Sequence, residues 1–291
     1  MSARDDAGGG PLFSVILPTY NRAALLAEAV ASVLRQTVEE FECLVVDDGS
    51  PNSFQLPRDP RVRVIARSSN SGPAASRNTG LRAARGRYVT FLDDDDLYTP
   101  DRLALALEGL RRAPITVCWL RFLDAPEGRN RVLDGDVRDT ILEDFAPHVG
   151  VTAVARELVP LFDERFLAAE DAEWWIRLAS RGPVSTTPRV GYLLRRHPEA
   201  RHLLHAEARV EGRRLLLQVH ASYFATRPRA AGFQWKRLGH LARISGDFKL
   251  ARAAFVRALR LRPELRSLWH LLACLRPSAR RPGRREPLHD R

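Results

Sequence analysis

Lysine is almost absent from this chain of 291 residues: Lys236 and Lys249 stand alone, so a formal net charge of +11 rests almost wholly on arginine. Arginine suits bidentate contact with phosphate, although genome composition produces the same bias and is the plainer source of it. A positive balance implies an anionic partner, whether nucleic acid, a membrane surface or a phosphorylated small molecule. The arginines are dispersed and no RNA-binding motif accompanies them, which argues against nucleic acid. Cysteine is nearly as scarce. Cys43, Cys118 and Cys274 lie far apart among apolar neighbours, with no C-x-x-C spacing to suggest zinc or a redox pair. Three buried, reduced thiols in a cytoplasmic protein are the expectation. No apolar run is long enough to cross a bilayer. Residues 1–10 lack the basic start and apolar centre of a signal peptide. Also missing are a Walker loop, a G-x-G-x-x-G after a strand, a G-x-S-x-G elbow and an H-E-x-x-H pair.

What is present is alternation. Apolar runs at 13–17, 41–46, 62–66, 88–92 and 115–123 read as buried strands. Helix-period segments separate them at 23–35, with Asn21 as N-cap, at 74–84, and from about 101 to 112, where Thr99 and Pro100 supply a cap and a first turn. Such a chain builds an α/β fold with a mostly parallel sheet and right-handed crossovers. After a looser stretch from 124 to 150 the pattern resumes with a strand at 151–155, a helix near 171–181 and short strands up to Leu194. Everything from about Leu203 onward reads helical. Trp235, Leu238, Gly239, Ala242, Ala251, Phe255, Ala258 and Pro263 fall at tetratricopeptide spacings, with Ala242 where tyrosine is usual. Trp269 stands 34 residues after Trp235 and opens a second register. One repeat and a half cannot stand alone, so this unit is expected to pack on a helix at 203–223. The tail from Pro277 is rich in arginine and proline, a disordered composition.

Ligands of such sheets sit beyond the carboxyl ends of the strands, and there the acids gather. Asp93, Asp94, Asp95 and Asp96 end one apolar strand, and Asp47 and Asp48 end another. Four consecutive acids repel one another. A divalent cation would relieve that, and Mg²⁺ or Mn²⁺ takes hard oxygen ligands while keeping sites for substrate phosphates. An acid run is more often a solvated loop, but placement at the end of a buried strand favours the metal. Tyr20, after the first strand, offers a ring for stacking on a base; an ordinary loop is the alternative. Arg77 stands in a turn and helix start suited to anions, with an exposed surface arginine as the alternative. Glu170 and Asp171 open a helix, where acids favour the dipole and where a carboxylate could also act as general base.

In order, Ser14-Val15-Ile16-Leu17-Pro18-Thr19-Tyr20-Asn21-Arg22, Leu44-Val45-Val46-Asp47-Asp48-Gly49-Ser50, Ala75-Ser76-Arg77-Asn78-Thr79-Gly80 and Phe91-Leu92-Asp93-Asp94-Asp95-Asp96, completed by Pro100-Asp101-Arg102-Leu103, resemble family 2 of the inverting glycosyltransferases, with the GT-A fold. Phe162-Asp163-Glu164 and Glu170-Asp171 match the acceptor-side pattern. The resemblance implies a nucleotide-sugar-binding sheet flanked by helices at 11–202, followed by a helical region at 203–276 whose repeat occupies about 232–265, between short disordered ends at 1–10 and 277–291. It implies that Pro18, Tyr20 and Asp48 hold the base, that Arg77 lies near the ribose or diphosphate, and that Asp94 contacts the ribose. Asp93 and Asp95 become the D-x-D element, with Asp95 the direct ligand of Mn²⁺ or Mg²⁺. Asp171 becomes the catalytic base, and Glu170 helps place the acceptor. The implied donor is a nucleoside-diphosphate sugar, UDP-sugar first. The acceptor is a saccharide, lipid-linked or other hydroxyl, as in cell-surface polysaccharide synthesis.

Two departures stand out. Arg195-Arg196-His197 resembles the family's late basic-histidine segment, but the hydroxyl residues that follow it elsewhere are missing, and a surface histidine is the plainer reading of His197. The stretch around 147–159 carries no acceptor signature. The basic stretch from Arg195 to Arg214, with interleaved leucines, could touch anionic headgroups at the inner face of a membrane, or it could pack on the sheet. The competing function is an inert, nucleotide-sugar-binding-like scaffold that recruits a protein partner through its C-terminal helices.

Overall fold

A computed structural model describes residues 10–126, 128, 130–196 and 206–275. His197, the two termini expected to be disordered and part of the basic 195–214 stretch lie outside them.

One eight-stranded sheet organises the first two-thirds of the chain. Its strands are β1 (Phe13–Thr19), β2 (Phe41–Asp47), β3 (Val62–Ala66), β4 (Tyr88–Phe91), β5 (Leu97–Tyr98), β6 (Ile115–Phe122), β7 (Thr152–Ala155) and β8 (Val184–Leu194). They lie in the order β3-β2-β1-β4-β7-β6-β8-β5. Four of the seven pairings are parallel, and β7 runs antiparallel to both of its neighbours. β7 follows a loop and a 3-10 turn at Val149–Val151; without a helical crossover before it, nothing forces it parallel. β1 is buried along its whole length, which explains its unbroken apolar run.

Helices α1 (Ala23–Leu34), α2 (Pro73–Ala83), α3 (Arg102–Leu110) and α4 (Glu170–Leu178) flank the sheet. The buried residues of α2 are mostly small: Ala74, Ala75, Ser76 and Gly80. This lets the helix lie close on β1, where a Cβ at Gly80 would come within 2.4 Å of Ile16 Cγ2. Two caps differ from expectation. Arg22, not Asn21, occupies the N-cap of α1; Asn21 takes a left-handed φ of 52°, a conformation asparagine tolerates, and its amide donates to Ser50 Oγ at 2.9 Å. α3 begins two residues late because Thr99 Oγ1 donates to Asp101 at 2.7 Å and Asp101 becomes the cap residue. The expected short strands up to Leu194 are one long strand, β8.

Five helices follow: α5 (Ala206–Val219), α6 (Ala221–Ala225), α7 (Pro228–Ile244), α8 (Phe248–Leu261) and α9 (Leu265–Leu275). α7 and α8 form the repeat hairpin. Gly239 permits their approach, since a Cβ there would meet the Phe255 ring at 2.8 Å. α7 packs on α5, as the incomplete repeat required. Ala242, Ala251, Phe255 and Cys274 form a small second core. The three cysteines are free and buried. α9 leaves Leu265, Leu268, Trp269 and Leu272 exposed. Among the described residues no helix is long and apolar enough to cross a membrane.

Candidate active site

The ends of β1, β2 and β4 converge with the start of α4 on a cleft of about 320 Å³. Pro18, Tyr20, Asp48, Arg77, Asp93, Asp94, Asp95 and Glu170 all line it. Of the residues given a role in binding or catalysis, Asp171 is the one that does not appear in that wall. It stands next to Glu170 in the first turn of α4, half-buried, with its Oδ1 accepting the Ala172 amide at 3.1 Å.

Tyr20 presents its ring at the mouth, 43% exposed. Asp48 is buried and accepts from Arg67 Nε at 2.9 Å and from the Ser71 and Gly72 amides at 3.1 and 2.7 Å. Three donors leave little more for a base to supply, so the loop at 70–72 is held in place by Asp48 before any ligand arrives. Arg77 is 3% exposed, which rejects the surface alternative. Its guanidinium donates to Asp93 at 2.8 Å and to Glu170 at 3.3 Å. It thereby joins the acids of β4 to those of α4. Burial works against its charge, but Asp93 and Glu170 outweigh that and hold its pKa above the ordinary value.

Each of the four consecutive acids is partnered within the protein, Asp94 and Asp95 by the same arginine. Asp93 meets Arg77 and His148, and despite burial these hold its carboxyl well below the usual range. Asp94 accepts from Thr19 Oγ1 and Arg22, both at 2.8 Å, while burial pushes its pKa up. Asp95 accepts from the same Arg22 at 2.6 Å. Asp96 accepts from Tyr192 Oη at 2.7 Å and the Arg195 amide at 2.8 Å, and burial pushes it up to about 7 against the pull of His148. Repulsion among these acids is therefore answered by the chain itself, and the argument that they require a cation for that purpose does not hold.

Whether a divalent cation fits is a separate question. Asp93, Asp96 and His148 offer ligand atoms within 4.8 Å of one another, but the set is poorly prepared. Both oxygens of Asp96 are engaged. The Gly150 amide donates to His148 Nδ1 at 3.2 Å, leaving the proton on Nε2, which faces Asp93 at 3.4 Å. Burial opposes a charge on this ring, while Asp93 and Asp96 favour one and raise its pKa to about 9. The Gly150 N–H aimed at Nδ1 acts against that charge. A metal at Nε2 would need its proton moved to Nδ1, against the Gly150 N–H. Asp93 and Asp95 also bring hard carboxylate oxygens to the cleft wall, the chemistry Mg²⁺ or Mn²⁺ prefers, but a cation there would compete with Arg77 and His148 at Asp93 and with Arg22 at Asp95.

α4 is placed with care. Ala169 before it adopts a left-handed φ of 66°, a strained state for a residue with a Cβ. Trp174 and Trp175 bury completely and donate to the Pro160 and Pro147 carbonyls. The pKa of Glu170 is raised by burial and by Asp171 beside it. Arg102, from the end of the acidic motif, is fully buried and faces away from the cleft, donating to Thr90 and the Gly150 carbonyl. Arg195 turns inward to the Asp95 carbonyl and Glu28, and Arg213 is buried. Neither stands fully exposed on the surface that a headgroup would meet. Sequence reasoning missed Arg22, Arg67, His148 and Tyr192 as parts of this site.

Residues 14–143 match the family model described as glycosyl transferase family 2. An uncharacterized glycosyltransferase of Rickettsia felis is 31% identical over 187 residues, which span 59% of this chain and 31% of that protein. WcaA of Escherichia coli K12, named for colanic acid biosynthesis, is 43% identical over 103 residues, 33% of this chain and 37% of that one. The chain thus spans about a third of the length of the curated relatives it matches. Among solved structures, S. aureus TarS 1-349 in complex with UDP superposes with a TM-score of 0.56 at 20% identity, over 87% of this chain and 91% of that one. The mannosyltransferase PcManGT of Pyrobaculum calidifontis, in complex with GDP-Man and Mn2+, gives 0.59 at 21%, over 91% and 79%. Motif order, sheet and likenesses agree: residues 14–143 resemble the family 2 glycosyltransferases, on a fold of the GT-A type.

Proposed function

We propose that this protein transfers a glycosyl group from a nucleoside-diphosphate sugar to an acceptor hydroxyl, with inversion at the anomeric carbon and with help from a divalent cation. The observation that carries the reading is the single cleft in which Tyr20, Asp48, Arg77, the D-x-D acids and Glu170 meet. The names of the solved neighbours, with UDP in one and GDP-Man and Mn2+ in the other, support the donor class, and UDP-sugar is the first candidate. WcaA and the succinoglycan biosynthesis protein ExoW of Rhizobium meliloti, 38% identical over 115 residues, support a role in polysaccharide synthesis.

The residues divide the work. Tyr20 stacks on the base, and the Asp48-held loop closes around it. Arg77, fixed between Asp93 and Glu170, sets positive charge beside the diphosphate. Asp93 and Asp95 would hold Mn²⁺ or Mg²⁺, which when bound stabilises charge on the departing nucleotide. Asp171 takes the acceptor proton, worth about 10²–10⁴-fold. Glu170, tied to Arg77, orients the acceptor against the donor.

Calorimetry with UDP, GDP, dTDP and CMP, with and without Mn²⁺, tests this on wild type and Asp95→Asn. The expected result is one nucleoside diphosphate binding only with metal and lost in the variant. A well-folded protein that binds none of them would overturn the reading.

A further inference from the structure

α5 brings two arginines, which have no counter-ion among the described residues, to the neighbourhood of Glu170 and Asp171. Its approach is close: a Cβ at Gly212 would fall 2.2 Å from the Ala168 carbonyl oxygen, just before the strained Ala169 that opens α4. The next residue, Arg213, is 7% exposed. One of its terminal nitrogens donates to Gln234 Oε1 on α7, and Gln234 in turn donates to the Leu142 carbonyl at 3.1 Å. Its Nε is buried with no partner. Arg209 stands one turn earlier on the same face, partly buried, and makes no hydrogen bond or ion pair with any described residue. Burial pulls the pKa of Arg213 down to about 10, with Arg209 pulling the same way and Asp171 and Glu170 opposing. Neither acid makes an ion pair with it.

A buried guanidinium without an anion, as at Arg213, is a costly arrangement, and the partly buried Arg209 on the same helix face adds a second positive charge beside it. The donor's phosphates have Arg77 on the other side of the acids. We propose that Arg209 and Arg213 form an anion-binding subsite for the acceptor, so that the acceptor carries a phosphate or a carboxylate close to the hydroxyl that is glycosylated. This rests on the transferase reading. The subsite is built by the helical region: α7 holds Arg213 through Gln234, and α5 carries both cations.

The test uses the full chain saturated with UDP and Mn²⁺, so that the donor site is filled. Glucose 6-phosphate, glucuronate and methyl glucoside are titrated by calorimetry. One of the two anionic probes should bind, with the neutral glucoside at least about tenfold weaker. Arg209→Ala and Arg213→Gln should each weaken the anion by about tenfold, while Arg214→Ala, at an exposed neighbour on the same helix, leaves it unchanged. Preference for glucose 6-phosphate assigns a phosphate-bearing acceptor, and preference for glucuronate a uronic acid. Should Arg213→Gln fail to fold, the more exposed Arg209→Ala decides alone. Absence of saturable anion binding, or an equal loss in Arg214→Ala, overturns the subsite. Arg209-dependent anion binding in a protein that binds no UDP overturns the acceptor assignment, and separates that failure from absence of the site.

Discussion

The two walls of the cleft are stabilised in different ways. On the β1, β2 and β4 side every acid is matched: Asp48 with Arg67, Asp93 with Arg77, Asp94 and Asp95 with Arg22. On the α4 and α5 side the matching is looser: Glu170 shares Arg77 with Asp93 at the longer distance of 3.3 Å, burial and Asp171 raise its pKa, and Arg213 is buried without an ion pair among the described residues. On the proposed function, the preorganised wall would receive the diphosphate with little rearrangement, and the wall with unspent charge would be completed by the acceptor.

The largest effect that could break this contrast is on chemistry. Asp171→Asn should lower kcat by about 10²–10⁴-fold with nucleotide affinity unchanged, whereas Glu170→Gln, which frees Arg77, should also raise KM for the donor. Equal, kcat-only losses in both would mean that the walls are not separable. Next, Arg22→Ala leaves Asp94 and Asp95 without their cation and should cost about 1.5–3 kcal/mol in urea unfolding, part of it recovered by added Mn²⁺. No loss would mean that the matched wall is not a source of stability. Gly212→Ala forces α5 off the Ala168 carbonyl. It should cost about 1–3 kcal/mol and impair acceptor use while nucleotide titrations stay as in wild type.

The smallest effect is on pH. Glu173 on α4 is buried and accepts from Arg177 on the same helix, and it faces His220, after α5, at 3.2 Å. Burial raises its carboxyl, but Arg177 and His220 prevail and hold it below its ordinary 4.5. Its contribution is therefore complete above that ordinary value and lost as pH falls through the lowered one. Glu173→Gln should lower Tm at neutral pH by about 2–4 °C, and the gap to wild type should close in acid. A gap that persists unchanged in acid would show that the ion pair contributes nothing.

The matched wall was the legible one. Acids at the ends of apolar runs announce themselves, because strand, turn and charge are contiguous in sequence. Their partners do not: Tyr192 lies 96 residues from Asp96, and Arg22 lies 72 from Asp94. His148 sits in a stretch with no motif, and its role depends on the Gly150 amide. Helix starts were misread where side chains compete for the backbone, as at Asn21 and Thr99. The antiparallel β7 carries no local mark, since strand direction is set by how the chain returns. Helices α7 and α8 were legible because repeat spacing reports a face, but nothing in that spacing told that α5 would reach Ala168.

That contact has an evolutionary consequence. The family model covers residues 14–143 and ends before α4 and α5, whereas the Rickettsia felis relative aligns over 59% of the chain. Divergence can thus rewrite the far wall while leaving the near one recognisable. Grafting the helical region of one relative onto another would exchange more than a handle, because the position of Glu170 and Asp171 at the start of α4 is set in part by α5 across the junction.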